Sequence, residues 1–355
     1  MLPDLAIALV VAGMAAYAVL AGADFGAGFW DLTAGGAERG GPVRGMIQRS
    51  MAPVWEANHV WLIFVLVVLW TCFPVAFGSL MSTLYVPMFI AVSGIIFRGT
   101  AFALRGEAAT IAEARLLGAM FALSSVLVPF CLGASVGAVA AGNVPVGNAS
   151  GDPISSWLNP LGITVGVIFV LTGAYLSAVY MAADAQRGDL ADLRRAFRAR
   201  ALGAGIAAGA VAAAGLLVLH SEARALYDDL TTGTGLACIA VSAAAGIATL
   251  ALVWRERYEA ARYSAAAAVA AVIVGWALAQ APYLLPGELT IDEAAAPDAT
   301  LVATLVSVVV GTLVLIPSLY WLYSLTLQGR LDKAYEPLDQ RFRPLRAADP
   351  EDRGS

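Results

Sequence analysis

Two carboxylates and a histidine stand where apolar sequence should hold neither. Asp24 lies in Gly22-Ala23-Asp24-Phe25-Gly26-Ala27-Gly28, and Glu56 in Pro53-Val54-Trp55-Glu56-Ala57-Asn58-His59-Val60-Trp61. An ionised carboxylate at the centre of a bilayer costs about 2.5–3.5 kcal/mol even on insertion scales. One reading is structural: the glycines around Asp24 let a neighbouring helix approach and accept a bond from it, while Glu56 snorkels to the interface. The other is a proton path, because burial disfavours the charged form of an acid and lets it exchange protons nearer neutral pH. The residues alone leave both open.

His59 follows Glu56 by three positions and shares its helix face, and Asn58 between them is a candidate hydrogen-bond partner or water-holder in such a path. His59, Trp55 and Trp61 are candidate contacts for a partner or ligand, although Trp30, Trp55 and Trp61 also fit an interfacial aromatic belt. Asp31, at the same boundary, reads as solvated. His59 and His220 are the only histidines, too few for an evident haem or metal shell, and His220 reads as interfacial. Cys72, Cys131 and Cys238 are widely separated inside apolar runs, so they read as small buried hydrophobes and not as a disulfide framework or metal site. No Walker motif, no dinucleotide fingerprint and no Ser/His/Asp order offers soluble enzyme chemistry, and no basic patch with interleaved aromatics suits nucleic acid.

The elements that must position these residues are membrane spans. Of 355 residues 60% are hydrophobic and 13% charged, against about 25% charged in soluble domains, and mean hydropathy is +0.77. Apolar runs of roughly 18 residues or more cross a bilayer. Nine are expected, at about 5–30, 51–73, 80–104, 114–140, 157–184, 198–220, 232–254, 261–281 and 301–326. The Ala- and Gly-rich run 198–220 should pack against another helix. The fold class is an all-α integral membrane protein with its helices in two bundles of four and five. The flexible Gly-, Asn- and Ser-rich stretch 141–157 connects them, within a polytopic domain 1–329 followed by a short cytoplasmic tail 330–355.

Basic residues orient it. Arg39–Arg49, Arg98–Arg115, Arg187–Arg200, Arg255–Arg262 and the tail place 20 of the 21 Lys and Arg on one side of a nine-span chain, with Arg224 alone opposite. Positive charge favours the cytoplasm, which puts the N-terminus outside and the C-terminus inside. Asp24 and Glu56 then both lie toward the cytoplasmic face. Ala21-Gly22-Ala23 imitates a signal-peptide cleavage site, but the segment carries Asp4 where a basic region belongs. Residues 282–300, with Glu288, Asp292, Glu293 and Asp298, read as a structured acidic turn outside.

The Gly-x-Asp-Phe-Gly-x-Gly motif at 22–28 and Pro-Val-Trp-Glu-Ala-Asn-His-Val-Trp-Leu-Ile at 53–63 together resemble subunit II of cytochrome bd-type quinol oxidases. Leu84-Tyr85-Val86-Pro87 leading to Phe97-Arg98, Leu158-Asn159-Pro160-Leu161-Gly162, Pro286 with Leu289-Thr290, and Pro317…Tyr320-Trp321 extend the likeness over nearly the whole membrane part. The resemblance implies a heterodimer with a haem-bearing subunit I, which carries haems b and d, oxidises quinol and reduces dioxygen to water in a bacterial-type cytoplasmic membrane. This chain, not itself catalytic, would supply scaffold and a cytoplasmic proton path through Asp24 and Glu56. It leaves open small accessory subunits and a structural quinone or lipid. The family more often has Asp-Gly where Glu56-Ala57 stands, and Gln or Glu at His59. The rival from another class is a proton-coupled transporter, in which the same acids couple to substrate; a purely structural assembly subunit is the third reading.

Overall fold

A computed structural model describes residues 1–328, apart from 52–54, 105–107 and 109; the side chains at 37–39, 51, 56, 57, 111, 326 and 327 also lie outside the described residues. Glu56 is one of them. The tail 330–355 likewise lies outside.

The chain is almost wholly helical. α1 (Leu2–Leu32) is followed by the short α2 (Ala37–Met51), whose Val43, Met46 and Ile47 at helical spacing turn one face inward. α3 (Trp55–Cys72) stops at Phe73 because Pro74 opens α4 (Pro74–Thr83), and a residue before proline is disfavoured in helical conformation. α5 runs Tyr85–Leu104. The expected span 80–104 is therefore divided at Leu84, with Pro87 tolerated in the first turn of the new helix.

α6 (Ile111–Ala140) starts on a reciprocal cap between Thr110 and Glu113, and α7 (Pro160–Arg187) on Asn159, whose side chain accepts from the Gly162 amide. Then come α8 (Ala191–Glu222), α9 (Arg224–Leu230), α10 (Gly233–Trp254) and α11 (Tyr258–Gln280). A two-stranded antiparallel hairpin, β1 (Tyr283–Leu285) and β2 (Leu289–Thr290), leads through α12 (Ile291–Ala294) to α13 (Asp298–Leu327).

Among the described residues, α1, α5, α6, α7, α8, α10, α11 and α13 are long and apolar enough to cross a membrane. This is a multi-pass membrane protein. The expected second span is α3, which at 18 residues is about 27 Å long; its described apolar part, Asn58–Cys72, is shorter than the others.

Two cores occupy opposite ends of the bundle. One gathers the last turns of α1 and α7, the inward face of α2 and the first turns of α8 and α11. The other joins the start of α1 and α13 to the ends of α3 and α6 and to the hairpin, through Phe73, Trp157 and Leu285. α1 and α7 thus belong to one packed body, and the two groups of helices share them. α8 packs on α7 through Phe197, Ala201, Ala204 and Gly215, as its small residues suggest.

The connection 141–157 is built where flexibility is expected. Trp157 is buried with its indole N–H on the Pro153 carbonyl at 2.9 Å, and the Asp152 carboxylate accepts from the Ile154 and Ser155 amides. Those amides hold the Asp152 carboxyl below its ordinary range.

Candidate functional site

The glycines of the 22–28 motif are spaces for neighbours. A Cβ at Gly26 would lie 1.9 Å from the Gly173 carbonyl oxygen, so α1 and α7 cross there backbone to backbone. A Cβ at Gly28 would lie 2.0 Å from Ser125 Oγ, which brings α6 against the other side of α1 about half a turn on. Such close crossings suit helices that gain little from burying apolar surface and associate by packing. Just ahead of these two contacts α1 carries Asp24, fully buried.

Its partner is Arg98 of α5, also buried at 2% exposure. Arg98 Nη1 donates to Asp24 Oδ2 at 2.8 Å and Nη2 to Oδ1 at 2.9 Å, a two-pronged pair. Nη2 also reaches the Asp24 backbone carbonyl at 3.0 Å, and Nε donates to Ser125 Oγ at 3.0 Å, which in turn donates to the Phe121 carbonyl at 2.6 Å. The guanidinium carbon lies over the rings of Phe121 and Phe25, 4.7 and 5.0 Å from their centroids. Each charge cancels the other where neither has water.

Arg98 is thus no loop charge. It stands within α5 and must be removed from the basic residues that orient the chain. Sequence reading missed it as the partner of Asp24, and missed Ser125 and Tyr17. The signal was there: a buried acid demands a cation, and Arg98 lies inside an apolar run. Asp31 is also corrected. It is buried and accepts from Arg44 Nε at 2.6 Å, while Arg44 continues to the Gly35 and Gly36 carbonyls.

His59 joins the site from α3. Its Nε2 lies 3.8 Å from Asp24 Oδ2, and its ring is enclosed by Tyr17, Phe25 and Trp55 at 6.2, 5.5 and 6.5 Å between centroids. His59 Nδ1 and the Tyr17 hydroxyl are buried with no hydrogen-bond partner among the described residues. Trp55 also packs on Phe102, and Trp61 contacts Phe64. Asn58, buried, accepts through Oδ1 from the Tyr323 hydroxyl at 3.2 Å, tying α3 to α13. The site therefore brings Asp24, His59 and Trp55 together, with Asn58 bonded to Tyr323 instead, while the Glu56 side chain lies outside the described residues.

A haem does not fit the residues present. His59 is walled by three aromatic rings and the Asp24 carboxylate, and His220 sits at the other end of the bundle beside Arg224 and Tyr227. Among the described residues no three His, Cys, Asp or Glu side chains converge as a metal shell.

The sequence profile described as cytochrome bd terminal oxidase subunit II matches residues 2–326. The chain belongs to the cytochrome bd terminal oxidase subunit II family. It is 29% identical over 132 residues to the cytochrome bd ubiquinol oxidase subunit 2 of Bacillus subtilis (strain 168), a stretch covering 37% of this chain and only 38% of that relative. In three dimensions it is similar to a chain in the structure of bd oxidase from Geobacillus thermodenitrificans, with a TM-score of 0.75 and 26% identity, covering 92% of this chain and 98% of that one. The 22–28 motif and the start of α3 thus share one setting, around the buried Asp24–Arg98 pair and His59.

Proposed function

We propose that this chain is the non-haem subunit of a quinol:oxygen oxidoreductase in a bacterial cytoplasmic membrane. It pairs with a haem-bearing subunit I that holds haems b and d, oxidises quinol and reduces dioxygen to water. The near full-length family match and the likeness to a bd oxidase chain support the assignment. The pairing suits the fold, because α13 leaves most of its length uncovered, and α3 and α13 form a groove of about 500 Å³ lined by Val67, Thr71, Ala303, Thr304 and Ser307. Small and hydroxyl residues of this kind favour helix–helix contact within a membrane.

Reducing dioxygen to water consumes protons as well as electrons, and this subunit supplies a path for them from the cytoplasm. The observation that carries the reading is a buried carboxylate with an imidazole 3.8 Å away, on the helix that also bears Glu56 one turn earlier. Glu56 takes protons in, Asn58 holds the adjoining hydrogen-bond network, and His59 passes them on. Asp24, with both oxygens on Arg98, provides the fixed charge beside the route. Glu56→Gln keeps the shape and removes the titrating group. Oxygen uptake and haem content, measured on one preparation, should show slowed quinol-driven turnover with haems retained. Full turnover and full proton uptake across pH in that variant would remove Glu56 from the path.

A further inference from the structure

Where α1 and α7 finish and α8 and α11 begin, arginines outnumber acids. Most are matched. Asp184 takes Arg187 and Arg262, Asp192 takes Arg195, and Glu256 takes Arg198. Arg200 has no carboxylate among the described residues. Its guanidinium carbon instead lies 5.4 Å from the Trp30 ring centroid and 4.9 Å from that of Phe197. Trp30 is held as a platform by its indole N–H, which donates to the Ala174 carbonyl at 2.9 Å. Arg200 Nη1 is buried and has no acceptor among the described residues.

We propose that Arg200, held against Trp30 and Phe197, binds the phosphate of an anionic phospholipid beside the end of α1 and the first turns of α8. A guanidinium stacked by its face keeps its N–H groups in the plane, aimed at an acceptor, and two phosphate oxygens match that fork. A buried N–H left without an acceptor is a standing cost that such an oxygen removes. The nearest acid on α1, Asp31, is already engaged by Arg44. Basic pockets between helices at the cytoplasmic boundary are where acidic headgroups bind, and Trp30 marks that depth.

The surface beyond Arg200 selects a lipid over free phosphate. Gly203, Ile206, Ala210, Ala213 and Leu217 follow on α8 at helical spacing and are exposed, with Ile206 at 62% and Leu217 at 75%. Nothing stands within 4 Å of a Cβ placed at Gly203. A shallow apolar lane therefore runs away from the guanidinium, as an acyl chain below a phosphate requires.

The test is native mass spectrometry of the intact purified complex after mild delipidation, comparing wild type with Arg200→Gln, Arg200→Lys and the control Arg195→Gln, whose arginine is exposed and paired with Asp192. Wild type and Arg195→Gln should retain about one more anionic phospholipid than Arg200→Gln, with Arg200→Lys between. Equal retention in all four overturns the site. Should Arg200→Gln fail to assemble, delipidated wild-type complex is titrated with dioleoylphosphatidylglycerol, dioleoylphosphatidylcholine or inorganic phosphate while its melting temperature is followed. A rise with the phosphatidylglycerol alone supports the proposal. A rise with inorganic phosphate, an equal rise with both lipids, or no rise overturns it.

Discussion

At the scale of residues, Asp24 and Arg98 depend on each other asymmetrically. Removing one partner strands the other charge without water, at a cost of about 3–5 kcal/mol, whereas replacing both by neutral groups costs far less. Arg98→Met should therefore abolish most assembled complex. Arg98→Met combined with Asp24→Asn should recover part of it, read as the yield and melting temperature of the purified complex. Lack of any recovery would mean that the charges are needed for more than each other. His59 gives a second prediction, resting on the proton-path proposal. His59→Gln keeps a hydrogen-bonding side chain of similar reach but cannot titrate, so oxygen uptake should fall and its pH profile change shape while haem content stays constant. An unchanged profile would make the imidazole packing alone. Asp24 was legible in sequence because an acid in an apolar run announces itself. Arg98 was not, because it stands only seven residues before Arg105 and was grouped with the loop charges. Its place inside an apolar run was the one local signal, and its contact with Asp24, 74 positions away, is what identifies it as the partner.

At the scale of elements, periodicity and length make the helices easy to read, but the places where they touch are set by single atoms. Gly26→Ala would drive a Cβ into the Gly173 carbonyl, against backbone that cannot rotate aside. It should lower assembly severely, whereas Gly41→Ala, where a Cβ meets nothing within 4 Å, should be silent; a blot of assembled complex in membranes compares them. The breaks were harder to foresee. Pro74 and Pro87 mark the interruption around α4 locally, but that Phe73, Trp157 and Leu285 meet in one core is a long-range packing that local pattern does not report. The acidic turn was legible, and its acids have distinct duties. The Glu293 carboxylate accepts from the Thr290 hydroxyl and amide, which hold its carboxyl below the ordinary 4.5. A depressed folded-state value means the cap contributes above 4.5 and is lost as pH falls through that lower value. Hydrogen-exchange protection of the amides at 290–296, taken relative to the intrinsic rate at each pH, should fall on acidification below 4.5 in the wild type and be low throughout in Glu293→Ala.

At the scale of the whole molecule, charge and span count must agree, and α3 decides whether they do. With Arg98 inside the bundle, nineteen basic residues remain on one side of a nine-span chain and Arg224 alone on the other. If α3 did not cross, Arg39–Arg49 would keep their side while Arg105, Arg115 and every later inner cluster moved to the opposite one, and the asymmetry would dissolve. Positive residues near span ends strongly favour the cytoplasm, so that arrangement would be costly to insert. Its 18 residues, about 27 Å of helix, can bridge a core of about 30 Å with slight thinning of the bilayer. We therefore expect Gly36 and Gly188 on the cytoplasmic side and Gly147 outside. Single cysteines at these three exposed or turn positions, probed with a membrane-impermeant thiol reagent, should give labelling of intact cells at 147 only. Positions 36 and 188 should label after the membrane is opened. Labelling of 36 and 188 from opposite sides would show that α3 does not cross. Labelling of both from outside would reverse the orientation and place the Asp24 and His59 site at the wrong face to draw protons from the cytoplasm.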